Sequence, residues 1–354
     1  MFEVIIAIGT LLLLIILFTL FRIGRLVNVV KGKDRKVVGT SNKVNAAMMM
    51  IFMIGSFAMF FWYSFTYYDD YTLPVASEHG IVTDGLFWIT TAVTGIVFVI
   101  TNVLLFYFSF QYQHKDGAKA KFYPDNTKLE LLWTVVPAIV LSVLVFTGLK
   151  AWNDITSEAT AEAEVIEIMG YQFAWKVRYP GVNDNQLGNY DYRLTNDAEG
   201  NEFGIDFTDE NSYDDFVLQE VHMPVGKEIL FNIRARDVLH SVFAPHFRLK
   251  MDAVPGMPTH FKFTPTKTTQ EMRDEVGDQE FDYFITCTEI CGRGHFSMKM
   301  KVVVDTPEDY EIWKTEQLPV LKVYPDLLEK VPTDKKELAK IKAGIEKEKL
   351  EATL

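Results

Sequence analysis

Phe281-Asp-Tyr-Phe-Ile-Thr-Cys287-Thr-Glu289-Ile-Cys291-Gly-Arg-Gly-His295-Phe-Ser-Met298-Lys-Met300-Lys-Val302-Val-Val304 is a loop dense in metal-binding side chains between two β-patterned runs. Phe281–Thr286 reads as one strand, and the run in which Met300, Val302 and Val304 point one way reads as another. The loop between them gathers two thiols, an imidazole and a thioether. A second imidazole, His240, stands upstream in Asp237-Val-Leu-His240-Ser, just after a run in which Ile229, Phe231 and Ile233 share one face. Thiolate and thioether ligands with imidazole select copper over magnesium, calcium or manganese. One Cys/His/Met set would describe a mononuclear blue-copper site. Two thiolates in one loop allow each sulfur to bridge two metals, with one histidine and one weak axial ligand completing each. Charge shared over two bridged metals in a rigid site changes geometry little on gaining an electron. Such a centre suits electron transfer.

Simpler readings explain less. A Cys287–Cys291 disulfide is compatible with an oxidising compartment but leaves Met298 and both histidines without a role. Structural zinc would take a tetrahedral Cys/His set and make no use of Met298. His246 and His260 flank the same region, and both are expected at the surface or behind the ligands, because the set is complete without them.

Outward from the loop, Val165–Ile168, Gln172–Tyr179, Glu228–Ala235 and His260–Thr264 are further strand candidates, punctuated by Pro and Gly. The pattern predicts an all-β sandwich or barrel over about 163–315. Residues 183–216 interrupt it with ten acidic side chains against the single Arg193, and read as a solvated, partly disordered surface insertion. The sharper reading of that insertion is a docking surface for a basic protein. Residues 316–354 form a charged tail with a polar helix expected at Lys335–Lys349. No Cys-x-x-Cys-His occurs, so no covalently attached c-type haem is expected on this chain.

Residues 1–152 are of a different kind. Four apolar runs, about 4–21, 46–66, 87–110 and 131–151, approach or exceed the ~20 residues that a membrane-spanning helix needs. The first has no basic n-region, and Arg22 and Arg25 stand where a cleavage site should be, so it reads as a retained helix and not a signal peptide. Arg22, Arg25, Lys31, Lys33, Arg35, Lys36 and Lys43 outweigh the lone Asp34 between the first two helices. Lys115, Lys119, Lys121 and Lys128 lie between the third and fourth, whereas Asp69, Asp70, Glu78 and Asp84 lie between the second and third. The positive-inside rule then places the basic loops in the cytoplasm and both termini outside. Pro137 is expected to kink the fourth helix. Glu130, at that helix's start, is by spacing alone a carboxylate favourably placed at a helix N-terminus.

The formal charge is −12 and most of the acidic excess lies after residue 153, which argues against nucleic acid and for a cationic partner. Two cysteines are too few for a disulfide framework.

Over about residues 86–315 the chain resembles subunit II of the haem–copper cytochrome c oxidases. The resemblance is carried by Cys-x-Glu-x-Cys-Gly-x-x-His-x-x-Met at 287–298, Asp237-Val-Leu-His240-Ser, Leu249-Lys-Met-Asp-Ala-Val-Pro-Gly256 and Leu129-Glu-Leu-Leu-Trp-Thr-Val-Val-Pro137. It implies a membrane-anchored all-β protein: a bundle of transmembrane helices followed by a cupredoxin-like Greek-key β-sandwich with a dinuclear copper centre, CuA. The implied ligands are His240, Cys287, the Glu289 carbonyl, Cys291, His295 and Met298. The Glu289 side chain would help bind magnesium at the interface with subunit I, and Glu130 matches a carboxylate at the entrance of a proton pathway. The implied activity is that of a proton-pumping oxidase subunit: electrons pass from a c-type cytochrome to haem in subunit I, where oxygen is reduced to water. The implied place is the cell inner membrane, multi-pass, with the copper domain and both termini in the periplasm, and the partners are lipid, subunit I and other oxidase subunits.

Two departures stand out. The helices at 4–21 and 46–66 precede the usual pair. In Gly170-Tyr-Gln-Phe-Ala-Trp175, Phe173 stands where the family's electron-entry tryptophan is usual, while Trp175 matches the second tryptophan. A membrane-tethered or complex-bound c-type donor is the expectation that follows, steered by the acidic insertion. A stand-alone membrane-anchored copper-binding or copper-delivery protein is the alternative, but such a protein would show labile Met/His clusters without a closed two-thiolate site. A quinol oxidase subunit of this family would lack the ligands. Nitrous oxide reductase shares the copper motif but does not suit a four-helix anchor.

Overall fold

The computed structural model describes residues 2–32, 40–115, 117–182 and 185–346, residues 2–7 by backbone alone. Lys33, Asp34, Arg35 and Lys36 of the first basic loop, Asp184 of the insertion and residues 347–349 of the expected tail helix lie outside the described residues. The chain divides into two compact units, Met1–Tyr68 with Thr91–Val135, and Asp69–Thr90 with Val136–Leu354.

Helices α1 (Phe2–Val30), α2 (Thr40–Thr66), a single turn α3 (Tyr68–Tyr71), α4 (Glu78–Gln111) and α5 (Thr127–Thr156) account for the apolar half. Four of these are long and apolar enough to cross a membrane. Each runs beyond its apolar stretch, because backbone hydrogen bonding continues where the side chains turn polar and only lipid contact requires hydropathy. In the first unit α2 and α4 pack through aromatic rings, Phe52 against Phe106 at 6.0 Å and Phe57 against Phe98 at 5.8 Å. Asn42 Nδ2 donates to the His114 carbonyl at 2.9 Å. Helix α5 runs through Pro137 without interruption.

The second unit is a β-sandwich. One sheet has the order β3 (Phe216–Leu218), β2 (Ala174–Tyr179), β1 (Glu164–Tyr171), β5 (Ile229–Ala235), β8 (Thr259–Phe263). The other has β4 (Val221–Pro224), β10 (Lys299–Asp305), β9 (Tyr283–Cys287), β6 (His240–Ala244), β7 (Leu249–Ala253). β1 runs parallel to β5 and β4 parallel to β10; the remaining pairs are antiparallel. Alternating apolar residues face inward from both sheets. Ile166, Ile168, Ile229, Phe231 and Ile233 meet Val242, Ile285, Met300, Val302 and Val304 in one core. Two short helices pack against β10: α6 (Thr269–Val276), started by a Thr268/Glu271 capping box, and α7 (Pro307–Thr315), capped by Thr306. The sequence pattern located β1, β2, β5, β8, β9 and β10 to within three residues, and did not pick out β3, β4, β6 and β7.

The acidic insertion differs from expectation. Its described part is folded. Three short 3₁₀ turns are each started by a side chain, Asp191, Asn196 or Asp209, accepting the amide two residues on. Phe203, Ile205, Phe207 and Tyr213 are buried in a second core with Val320, Leu321, Leu327, Val331, Ala339 and Ala343 of the tail. The tail itself folds as α8 (Val320–Val323), two 3₁₀ stretches and α9 (Lys336–Lys342). Acidic side chains that read as a solvated run are engaged internally. Glu199 pairs with Lys330, Glu202 with Lys176, Glu210 with Lys335 at 2.8 Å and Asp197 with Arg236 at 2.8 Å. The acidic composition concealed the apolar face made by Phe203, Ile205 and Phe207, whose covering residues lie in the distant tail.

The segment between α3 and α4 is stitched to the sandwich. The Ala76 amide donates to the His246 carbonyl at 2.8 Å, Glu78 to Thr264 at 3.1 Å, and Thr266 back to Ala76 at 2.9 Å. At the far end of α5, His260 Nε2 donates to the Thr156 carbonyl at 2.9 Å and Lys262 Nζ to that of Glu158 at 3.0 Å.

Candidate metal centre

One end of the second sheet brings the donors together. Cys287 ends β9 opposite Val242, and His240 begins the neighbouring β6. Cys287 Sγ lies 3.9 Å from His240 Nδ1 and 4.0 Å from Cys291 Sγ. Cys291 Sγ lies 3.7 Å from His295 Nδ1 and 3.9 Å from Met298 Sδ. The Glu289 carbonyl oxygen is 3.2 Å from Cys287 Sγ. Two lobes result, Cys287 with His240 and Cys291 with His295 and Met298, joined across the sulfur pair. Both cysteines, His240 and Met298 are buried, and the cysteines are unbonded at about twice a disulfide's length.

The loop owes its shape to glycine. Gly292 adopts φ 134°, open to glycine far more readily than to a residue with a β-carbon. A β-carbon on Gly294 would strike the Phe173 ring at 2.5 Å, and one on Gly170 would strike Trp175 at 2.8 Å and His240 at 3.1 Å. Phe173 is therefore laid on the ligand loop at the surface, while Trp175 is buried edge-to-face with His240, ring centres 5.8 Å apart. Its indole Nε1 is among the buried polar atoms without a partner.

Around these donors lies a polar frame. Asp237 Oδ1 is 2.9 Å from His240 Nε2; a carboxylate only accepts, so Nε2 carries the proton and Nδ1 offers its lone pair toward the sulfurs. Asp237 also accepts the Gln172 amide at 2.7 Å and the Val238 amide at 2.7 Å. Burial works to raise the Asp237 pKa, but these hydrogen bonds outweigh it and hold the carboxyl below its ordinary value. Gln172 Nε2 donates to the Cys291 carbonyl at 2.5 Å, tying the β1–β2 turn to the loop. Asp237 and Gln172 were not singled out as site residues; the signal was Asp237 standing three residues before His240.

The donor set fits a soft metal. Burial, and then the neighbouring Cys287, push the Cys291 thiol up to about 11, so the thiolate form needs a compensating cation. His240, Cys287 and Cys291 place their ligand atoms within 4.8 Å of one another. His246 and His260 stand apart from this group, bonded to the Pro74 carbonyl at 3.1 Å and to Thr156. Burial lowers the His246 pKa, with Arg248 and Lys267 adding to the shift against the Pro74 hydrogen bond. Glu130 sits in the first turn of α5, in the other compact unit; its carboxylate accepts from the Asn126 amide at 3.5 Å while Asn126 Oδ1 accepts from Leu129 at 3.1 Å. That is a helix-capping arrangement.

A membrane-anchored β-sandwich with two buried thiols, two imidazoles and a thioether at one end defines a cupredoxin-like copper-binding protein. Family models described as the periplasmic and transmembrane domains of cytochrome c oxidase subunit II match residues 164–306 and 61–151. The alternative cytochrome c oxidase subunit 2 of Bradyrhizobium diazoefficiens is 35% identical over 249 residues, 69% of this chain and 83% of that protein. The chain belongs to the cytochrome c oxidase subunit II family, and so is a subunit of a haem–copper oxidoreductase complex. Cytochrome c oxidase subunit 2 of Thermostichus vulcanus is 28% identical over 68% of this chain and 76% of that protein. The solved periplasmic domain of subunit II from Bradyrhizobium japonicum is 22% identical over 45% of this chain and 94% of that one, with a TM-score of 0.30. Family membership implies the CuA copper centre and an external copper domain. Helix α1 and most of α2 precede the matched residues.

Proposed function

We propose that this chain is the electron-entry subunit of a proton-pumping cytochrome c oxidase, with His240, Cys287, the Glu289 carbonyl, Cys291, His295 and Met298 as its copper ligands. When bound, a dinuclear CuA centre supplies one-electron acceptance from a c-type cytochrome and donation to haem in subunit I. Convergence of two buried sulfurs, each with its own imidazole, carries this assignment. Asp237 fixes the His240 tautomer, Gln172 holds the loop, and Phe173 packs closely against Gly292 and Gly294. The closed, buried donor set does not favour copper delivery, which needs exchangeable ligands.

The Glu289 side chain, half-buried beside the loop, is proposed to reach magnesium at the subunit I interface. Glu130 is proposed to stand at the entrance of a proton path; unaltered turnover in Glu130→Gln would remove that role. The periplasmic placement of the sandwich and both termini is supported by the basic α4–α5 loop and by the bonding of residues 76–78 to the sandwich, which sets the α2–α4 connection on the sandwich's side. The donor is proposed to be a membrane-tethered or complex-bound c-type cytochrome, since Phe173 replaces the entry tryptophan. Because the insertion's carboxylates are largely paired, its contribution to docking is a net field, read as salt dependence of the donor's on-rate.

The deciding experiment is metal analysis and electron paramagnetic resonance on the gently purified complex. Two coppers per copy of this chain, sharing one unpaired electron, are expected. A mononuclear signal, or a Cys287–Cys291 disulfide in the active complex, would overturn the assignment.

A further inference from the structure

Arg248 has a backbone conformation that residues with a β-carbon seldom adopt, φ 52° and ψ 34°. Its guanidinium is engaged through all three nitrogens. Nε and one terminal nitrogen donate to the two Asp84 carboxylate oxygens at 2.7 and 2.8 Å, and further bonds reach the Leu73 and Pro245 carbonyls, each at 2.7 Å. Asp84 lies in the second turn of α4, a membrane-spanning candidate. Around this pair the approach is close. A β-carbon on Gly80 would meet Val75, Ser77 Oγ and Arg248 Cγ at 2.4, 2.7 and 3.2 Å, and Ser77 Oγ donates to the Phe247 carbonyl at 2.8 Å.

The position of Arg248 in the sheet gives the contact its consequence. It precedes Leu249, which pairs with Ala244 at one end of the β6–β7 hairpin; His240 pairs with Ala253 at the other. Four strand steps, about 13 Å, separate the Leu249–Ala244 pair beside the clamp from a proposed copper ligand. A two-stranded segment within a five-stranded sheet transmits displacement as a unit rather than absorbing it.

We infer that Arg248 is a positioning residue: its bidentate hold on Asp84 rivets the His240-bearing hairpin to α4 and so sets the gap across which electrons leave this chain for the partner subunit. This rests on the copper assignment above. Bidentate guanidinium–carboxylate geometry fixes orientation as well as distance, which a lysine would not do.

The test uses the whole purified oxidase. Arg248→Gly keeps the left-handed backbone accessible and deletes only the side chain. Hydrogen exchange at the Ala76, Glu78 and Thr266 amides reads the clamp without reference to copper; transfer from photoreduced copper to haem reads the positioning. Faster exchange at those amides, an unchanged copper spectrum and severalfold slower transfer are expected. The paired swap Arg248→Asp with Asp84→Arg, an aspartate tolerating the left-handed region, is expected to restore both. Unaltered exchange would overturn the clamp whatever the metal content; faster exchange with unaltered transfer would overturn the positioning role. Absence of two coppers in the wild type would instead sink the copper assignment, with the exchange result still deciding the clamp.

Discussion

Asp237 holds His240 by a single hydrogen bond, Oδ1 to Nε2 at 2.9 Å, and that bond turns the imidazole's Nδ1 toward Cys287. The same carboxylate gathers the Gln172 amide, so one acidic side chain couples the β1–β2 turn to the metal-facing tautomer.

Asp237→Ala is expected to weaken copper binding by about 10–100-fold, the usual effect of removing such an outer partner. Asp237→Asn, which can still accept, is expected to fall between. Competition with a copper chelator measures it; wild-type affinity in the alanine variant would refute the orienting role.

Cys291→Ser removes the sulfur that stands between Cys287, His295 and Met298. The expected result is loss of the two-copper signal and of electron entry, with the helices still inserted. A normal mixed-valence spectrum in this variant would count against the ligand set.

Glu167 is buried between Arg178 and Arg234 and bonded to both. Burial raises its pKa, but the two guanidiniums outweigh it and hold the carboxylate below its ordinary value of 4.5. For an acid depressed in the folded state, the stabilisation is present above the unfolded pKa and is lost as pH falls through the folded one. Glu167→Gln removes the carboxylate that both buried guanidiniums share, leaving Arg178 with Asp215, and is expected to cost about 3–5 kcal/mol at neutral pH. It is also expected to flatten the loss of stability below pH ~4.5. Thermal unfolding of the purified complex across pH measures both; an unchanged acid limb would show that Glu167 does not control it.

Leu321 is fully buried against the insertion. Leu321→Ala is expected to cost about 2–5 kcal/mol locally and to expose the insertion to limited proteolysis, with the copper spectrum unchanged. Equal protease resistance in variant and wild type would show that the tail does not order the insertion.

Much of this was legible in the chain itself. Ile229, Phe231 and Ile233 alternate because β5 has one face in the core, and a period of two survives any tertiary context. The ligand loop was readable because Cys287, Cys291, His295 and Met298 are local in sequence, and the membrane helices because hydropathy over twenty residues is a bulk property. The insertion misled for the opposite reason. Phe203, Ile205, Phe207 and Tyr213 become a core only when residues more than a hundred positions later cover them.

Residue chemistry and short spacing alone determined the soft-metal donor set, the four apolar helices and the β class of the remainder, since each depends on neighbours along the chain. Tertiary structure alone decided which carboxylate orients His240, that the acidic insertion and the tail share a core, and that Arg248 meets Asp84. Those contacts join residues brought together by the chain's path in space, and local periodicity carries no record of that path.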